Sequence, residues 1–171
     1  MSARESEKYV GLDLSLSSPG LAVVELRRGK HVLLHVDTLK TSNRWSEGER
    51  FDHISAWLAC KYYEWGPFVA VAREMSVSSR NMHTARALFG VRAMSSYVFR
   101  RTGVEIVDFT PSAVKKELTG NGKAEKADVE NAVRRFFPKA TFRSDDESDA
   151  AAIVLTLLIR EGKIIRPVPG A

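Results

Sequence analysis

The sequence predicts an α/β domain: a mixed five-stranded sheet, three antiparallel strands followed by two parallel ones, with helices on both faces. Three observations predict it. Three apolar runs come first and are joined by short turns; two more runs, at 68–74 and 104–109, each follow a segment of helical periodicity; the last third of the chain carries helical patterns alone. Strands joined by short turns pair antiparallel, whereas strands separated by a helix need a crossover and lie parallel.

The elements follow in order. YVGLDLSL is the first strand, SSPG turns the chain into GLAVVELR, and Arg28-Gly29 turns it again into HVLLHVDTL. Over 47–65, Phe51, Ile54, Leu58 and Ala59 recur at helical spacing, and Trp65-Gly66-Pro67 closes that helix. FVAVARE is a short buried strand. A second helix runs over 81–101 with Ala85, Leu88, Phe89, Met94, Tyr97 and Val98 as its apolar residues, and Gly103 breaks it before the strand VEIVDF. Thr110 caps a short helix whose first turn holds Pro111. GNGK is a glycine loop, KADVENAVRRFF a helix stopped by Pro138, and DDESDAAAIVLTLLI opens the last helix. One domain is expected over 1–171, with its core at about 9–160 and mobile tails at 1–7 and 161–171.

Composition narrows the class. The chain has 171 residues, 44% hydrophobic and 27% charged, which suits one folded domain rather than a disordered segment. A net charge of +5 permits a polyanionic partner without requiring one. Cys60 is the sole cysteine, so an intrachain disulfide and a cysteine-rich zinc site are both excluded. MSARESEKYV has no apolar signal core, and the longest apolar run is about half the ~20 residues that span a bilayer. A cytoplasmic protein with no membrane partner is the expectation.

The acids carry the functional question. On a helix, residues three and four apart share a face, so Asp146, Asp149, Ile153 and Leu157 form one stripe that ends in core. Acids near a helix N-terminus also cap free amides and favour the dipole, a reading that suits Asp145 and Asp146 equally well. Glu147 reads as solvated. Asp149 lies one turn further in, and a carboxylate removed from water must be compensated or take up a proton. In the first strand Val10, Leu12, Leu14 and Leu16 point one way, while Tyr9, Gly11, Asp13 and Ser15 point the other. Asp13 is then either a solvent-facing residue or a site residue. Glu74 ends its strand either where α/β sites are commonly built or where the strand runs out into water.

If these strands are neighbours and the last helix crosses that face, the acids converge. Hard oxygen ligands of this kind suit Mg²⁺ or Mn²⁺. Two such ions ~4 Å apart can activate a water and stabilise the leaving oxygen of a phosphodiester. No Walker loop or Ser-His-Asp arrangement competes, and the histidines at 31, 35, 53 and 83 lack zinc-ligand spacing and read as surface residues.

Four stretches, GLDLSLSSPGLAVVEL, VAREMS, VKKELTGNGKAEKADV and DDESDAAAIVL, together resemble the RuvC family of Holliday-junction resolvases. The most specific part is the pattern of Lys115, Gly120, Gly122, Ala124, Glu125 and Lys126. The resemblance implies an RNase H-like fold and a homodimer that acts on branched DNA, four-way junctions above all, in a bacterial or phage-infected cell. It implies paired symmetric nicks that depend on two Mg²⁺ ions per site, with Mn²⁺ as a substitute. It maps the family's catalytic and metal-binding acids onto Asp13, Glu74, Asp146 and Asp149, and its backbone-approaching lysines onto Lys115 and Lys126. The chain departs from the pattern in Asp13-Leu14-Ser15, where Asp-Pro-Gly is usual, and in Val77, where an aromatic at the junction core is common. An aliphatic side chain forgoes a base-stacking contact worth ~1–3 kcal/mol. Broader cleavage of flaps and forks is therefore the alternative expectation, and a non-catalytic junction-binding protein a further one.

Basic residues complete the picture. Lys115, Lys116, Lys123 and Lys126 frame the glycine loop, whose amides can also reach phosphate oxygens. Arg73, Arg80, Arg86, Arg92, Arg100 and Arg101 run along the second helix region, each readable as a solvated residue or, for Arg80 in particular, as a DNA contact.

Overall fold

Five strands build one sheet: β1 (Glu7–Asp13), β2 (Gly20–Arg27), β3 (Lys30–Thr38), β4 (Ala70–Glu74) and β5 (Glu105–Phe109), in the order β3-β2-β1-β4-β5. The computed structural model describes residues 6–75 and 81–167. The pairs β1–β2 and β2–β3 are antiparallel, and β1–β4 and β4–β5 are parallel, as the alternation of turns and helices predicts. The helices are α1 (Glu47–Trp65), α2 (Met82–Arg100), α3 (Pro111–Thr119), α4 (Lys126–Phe136) and α5 (Asp145–Arg160). A reciprocal cap between Ser46 and Glu49 starts α1, and Thr110 caps α3.

The central strand β1 is buried on both faces. On one side Val10 and Leu12 meet Ile54 and Leu58 of α1 and Val91 and Phe99 of α2. On the other, Tyr9 packs beneath α5, which brings Ala150, Ile153 and Val154 onto the sheet, with α3 and α4 packed against α5. The solvent-facing alternative for the Asp13 face is thereby excluded, because α5 covers it.

Two glycines allow this close approach. A Cβ on Gly11 would stand 2.1 Å from the Ala150 carbonyl oxygen and 2.7 Å from the Val154 nitrogen. A Cβ on Gly20 would stand 2.2 Å from the Asp146 carbonyl oxygen. Both obstacles are helix backbone, so the helix as a whole would have to move. Gly20→Ala is expected to cost roughly 1–3 kcal/mol of stability and, by shifting the first turn of α5, up to about 10²-fold in activity. Denaturant melts alongside turnover assays check both effects, and an unaltered rate would show that the first turn of α5 need not be held there.

The buried face of α2 differs from its expected one. Ala87, Val91, Ser95 and Phe99 turn inward, while Phe89 and Tyr97 are 63% and 65% exposed. The reason is Arg73. Read from sequence as part of a basic stripe, it is 3% exposed. Its Nε and Nη2 donate to the Asp108 carboxylate at 2.9 and 3.1 Å, and its Nη1 donates to the Arg92 carbonyl and to the hydroxyls of Ser95 and Ser96. Arg92 also donates to Asp108, at 2.6 Å. A guanidinium this deep needs that full set of acceptors. So α2 turns Ser95 rather than a larger apolar residue toward the sheet.

Two further expectations are revised. His35 is a half-buried residue stacked on Trp65 at 4.7 Å and facing the Lys61 amine at 3.1 Å, and His31 meets Phe136 and Phe137 edge-on. Burial, with the positive Lys61 beside it, pushes the His35 imidazole below its usual range. After α5, where a mobile tail is expected, Ile164 is buried and Lys163 pairs with Glu7 and lies over the Tyr9 ring. No helix among the described residues is long and apolar enough to cross a membrane.

Candidate active site

The parallel pairing of β1 with β4 ends with Leu12 opposite Arg73, so Asp13 and Glu74 emerge side by side at one edge of the sheet. The seat of α5 on Gly11 then carries Asp149 to the same place. Asp13, Glu74 and Asp149 line a cleft of about 290 Å³ together with Lys115 and Lys126, over a floor of Pro111, Val114, Val129 and Ala152. Three acids far apart in sequence thus share one pocket with two lysines.

Their ionisation shows how uneasily they coexist. Burial, followed by the charges of Asp149, Glu74 and Asp146, pushes the Asp13 carboxyl from 3.8 up to about 7. Burial and then Asp149 raise Glu74. Burial also raises Asp149, with Asp145 and Asp146 adding to the shift and Lys126 opposing it. Lys126 pairs with Asp145 at 2.8 Å and Asp149 at 3.5 Å. Toward Asp13 it acts only through space, as Lys115 does toward Glu74.

Asp146 stands apart from the other three. It does not line the cleft; its Oδ2 accepts from the Ser18 hydroxyl at 2.6 Å and lies 3.6 Å from the Lys40 amine. Capping of α5 falls to Ser144, which accepts from the Glu147 amide. Glu147, expected in solvent, is 3% exposed and accepts from the Arg143 amide at 2.7 Å. The helix start thus uses Ser144 and Glu147 for its own ends and leaves Asp146 and Asp149 for other work.

Among the described residues no group of three or more acids, histidines or cysteines is arranged to enclose an ion as it stands. Ser18 and Lys40 draw Asp146 to one side, and Lys126 draws Asp149 to another. The donor set nevertheless fits a hard dication. It offers carboxylate oxygens alone, held close enough to raise one another's affinity for positive charge, around a cleft whose floor is apolar.

Of the basic residues singled out from sequence, Lys115 and Lys126 line the cleft, while Lys116 and Lys123 are exposed on α3 and on the loop beside it. Gly120 closes α3 at φ 84°, and the amide of Lys123 donates to Asn121. Val77 and Arg80 lie outside the described residues. Sequence reasoning missed Ser18, Lys40 and the role of Arg73. The last had a visible signal, a basic residue closing an apolar run directly before Glu74.

Comparison with known proteins yields a consistent set of relatives. The family model described as Crossover junction endodeoxyribonuclease RuvC matches residues 9–157. A RuvC protein from Synechococcus sp. (strain WH7803) is 33% identical over 150 residues, 87% of this chain and 96% of that one. One from Prochlorococcus marinus subsp. pastoris is 28% identical, over 91% of this chain and 98% of its own length. Among solved structures, T. thermophilus RuvC in complex with a Holliday junction substrate superposes with a TM-score of 0.83 at 29% identity, covering 92% of this chain and 97% of that one. The yeast mitochondrial resolvase Ydc2, at 9% identity and a TM-score of 0.67, shares the fold.

Proposed function

This chain belongs to the RuvC family of crossover junction endodeoxyribonucleases, and from that premise we propose that the cleft between β1, β4 and α5 is where it nicks four-way DNA junctions. The observation that supports this placement is the convergence of Asp13, Glu74 and Asp149 in one cleft rimmed by Lys115 and Lys126. Nucleases of the family are metal-dependent. We take the ions to be Mg²⁺, two per site, held by Asp13, Glu74 and Asp149 with Asp146 at the margin. Bound there, they would supply an activated water and neutralise charge on the leaving oxygen.

The chain's own residues do the rest. Asp13 contributes a carboxyl that burial and the neighbouring acids push well above the ordinary carboxylate range. Lys115 enters the cleft from α3 opposite Glu74 and can meet a non-bridging oxygen of the scissile phosphate, where negative charge builds in the transition state. Lys126 is held by Asp145 and Asp149 and would exchange the latter for phosphate as DNA arrives. Lys116, Lys123 and Arg80 would grip the backbone beyond the cut, and Val77 would meet the junction core.

Paired nicks need two such sites. A homodimer would supply them through the exposed apolar side chains Met82, Phe89 and Tyr97 of α2 and Tyr63 of α1, beside a groove of about 930 Å³ between those helices. A bacterial cytoplasmic setting accords with this activity. The test uses synthetic four-way junctions with mobile and fixed cores, with and without Mg²⁺. Symmetric paired nicks that require the ion are expected. Equal cutting of flaps and forks would favour the broader branched-DNA reading, and junction binding with no cutting of any substrate would favour a binding protein.

A further inference from the structure

We propose a second DNA-phosphate site on the opposite flank of the cleft, formed by Lys40 and Arg50 with the hydroxyls of Ser17 and Thr41. It rests on the reading of the cleft as a junction nuclease and extends it to the path of the cut strand. The two loops that carry this site are locked together. Past the last β2–β3 pair, Leu39 donates to the Pro19 carbonyl at 3.1 Å and Thr41 to the Ser17 carbonyl at 2.9 Å, which continues the ladder beyond the strands. Arg50, in the first turns of α1, bridges both loops: its Nε donates to Thr41 Oγ1 at 3.0 Å and its Nη2 to Ser17 Oγ at 3.2 Å.

Arg50 is tied to two loops by hydroxyl groups rather than by an ion pair. Arg73, Arg86 and Arg92 each pair with a carboxylate. Among the described residues the Arg50 side chain has hydroxyl partners only, so its charge is uncompensated and most of its N–H donors are available. Guanidinium and hydroxyl groups together are what phosphate oxygens bind. Lys40 is 69% exposed and touches Asp146 at 3.6 Å, which sets it between this platform and the acids. An exposed pair of that length holds a lysine only weakly.

Topology gives the platform its purpose. The order β3-β2-β1-β4-β5 places Lys40 just past β3 and Lys115 on α3, the helix that follows β5, with Asp13 and Glu74 between them along one sheet edge. Five strands at ~4.8 Å spacing span roughly 19 Å. A strand of DNA at ~3.4 Å per nucleotide covers that in about five or six nucleotides. A strand gripped only on the Lys115 side could pivot at the cut. Gripped on both sides, its scissile phosphate is fixed over the acids.

The experiment measures four-way junction binding in chelator over a range of KCl concentrations for the parent, Lys40→Gln, Arg50→Gln and Arg50→Lys. In Arg50→Gln the amide nitrogen takes the place of Nε and keeps a donor for Thr41, while the charge and the Nη2 bond to Ser17 are lost. Each glutamine variant should reduce the slope of log K against log[salt] by about 0.9 per lost phosphate contact, with affinity at low salt falling about tenfold and, for the exposed Lys40→Gln, the melting temperature unchanged. Arg50→Lys should keep the parental slope. If both glutamine variants keep the parental slope, the second site is overturned while the nuclease reading stands. If the parent itself shows no salt-dependent junction binding, the nuclease reading falls first. Should Arg50→Gln fail to fold, exposed Lys40 still decides the matter.

Discussion

Asp13→Asn is expected to reduce nicking by on the order of 10³-fold or more while junction binding stays close to that of the parent. Asn preserves the shape of the side chain and removes its charge and its basic oxygen. The groups assigned to the DNA backbone, Lys116 and Lys123 on the exposed α3 side and Lys40 and Arg50 on the other, are untouched. Gel-shift and nicking assays on one junction substrate separate the two effects. Full cleavage by the variant would remove the β1–β4–α5 cleft as the active site.

The same substitution should act in the opposite direction on stability. The Asp13 carboxyl stands near 7 in the folded chain against 3.8 when unperturbed. Between those values the folded state holds a proton that the unfolded chain has released. Raising the pH strips that proton and weakens the fold across roughly pH 4 to 7, by up to about 4 kcal/mol. An asparagine has no such proton to lose, so the metal-free variant should be the more stable protein above neutrality.

Arg73→Leu is the second large effect. It removes one member of a buried set in which Asp108, Ser95, Ser96 and the Arg92 carbonyl all accept from one guanidinium. Breaking a buried pair from one side costs roughly 3–5 kcal/mol, and for a chain of this length each kcal/mol shifts the melting temperature by ~2–4 °C. A fall of roughly 6–20 °C is therefore expected. Arg73→Lys should recover only part of this, because an ammonium cannot form the two-pronged bond to Asp108. Removing both charges, as Arg73→Leu with Asp108→Leu, should cost less than the sum of the single changes. Since Glu74 is the next residue on β4, nicking should decline in Arg73→Leu beyond what its unfolded fraction explains. A melting curve like the parent's would show that the cluster is not needed to hold β4, β5 and α2 together.

The sheet was legible because its signals are local. Short turns and helical crossovers dictate which strands run parallel, and α1 is announced by the helical spacing of Phe51, Ile54, Leu58 and Ala59 and by Trp65-Gly66-Pro67 at its end. The acids Asp13, Glu74 and Asp149 were legible as residues out of place, each a charge beside an apolar run. What stayed hidden depends on partners remote in sequence. Ser18 meets Asp146 across 128 positions, and Arg73 meets Asp108 across 35. No local pattern reports such pairs. The α2 face was misjudged for the same reason, since periodicity favoured Phe89 and Tyr97 as core and a buried guanidinium on another strand called for Ser95. Glu147 was misjudged because a carboxylate that reaches back to a backbone amide cannot be told from a solvated one by its neighbours alone.

Whether these carboxylates are held together for a bound dication can be read from thermal unfolding of the parent and Asp13→Asn, in chelator and in Mg²⁺, at pH values from about 5 to 8. In chelator the parent should melt lower as the pH rises, and the variant, which keeps the raised carboxyls of Glu74 and Asp149, should fall less steeply; Mg²⁺ should restore the parent strongly at the upper end and the variant much less. A parent that gains stability with pH in chelator and ignores Mg²⁺ would contradict that picture.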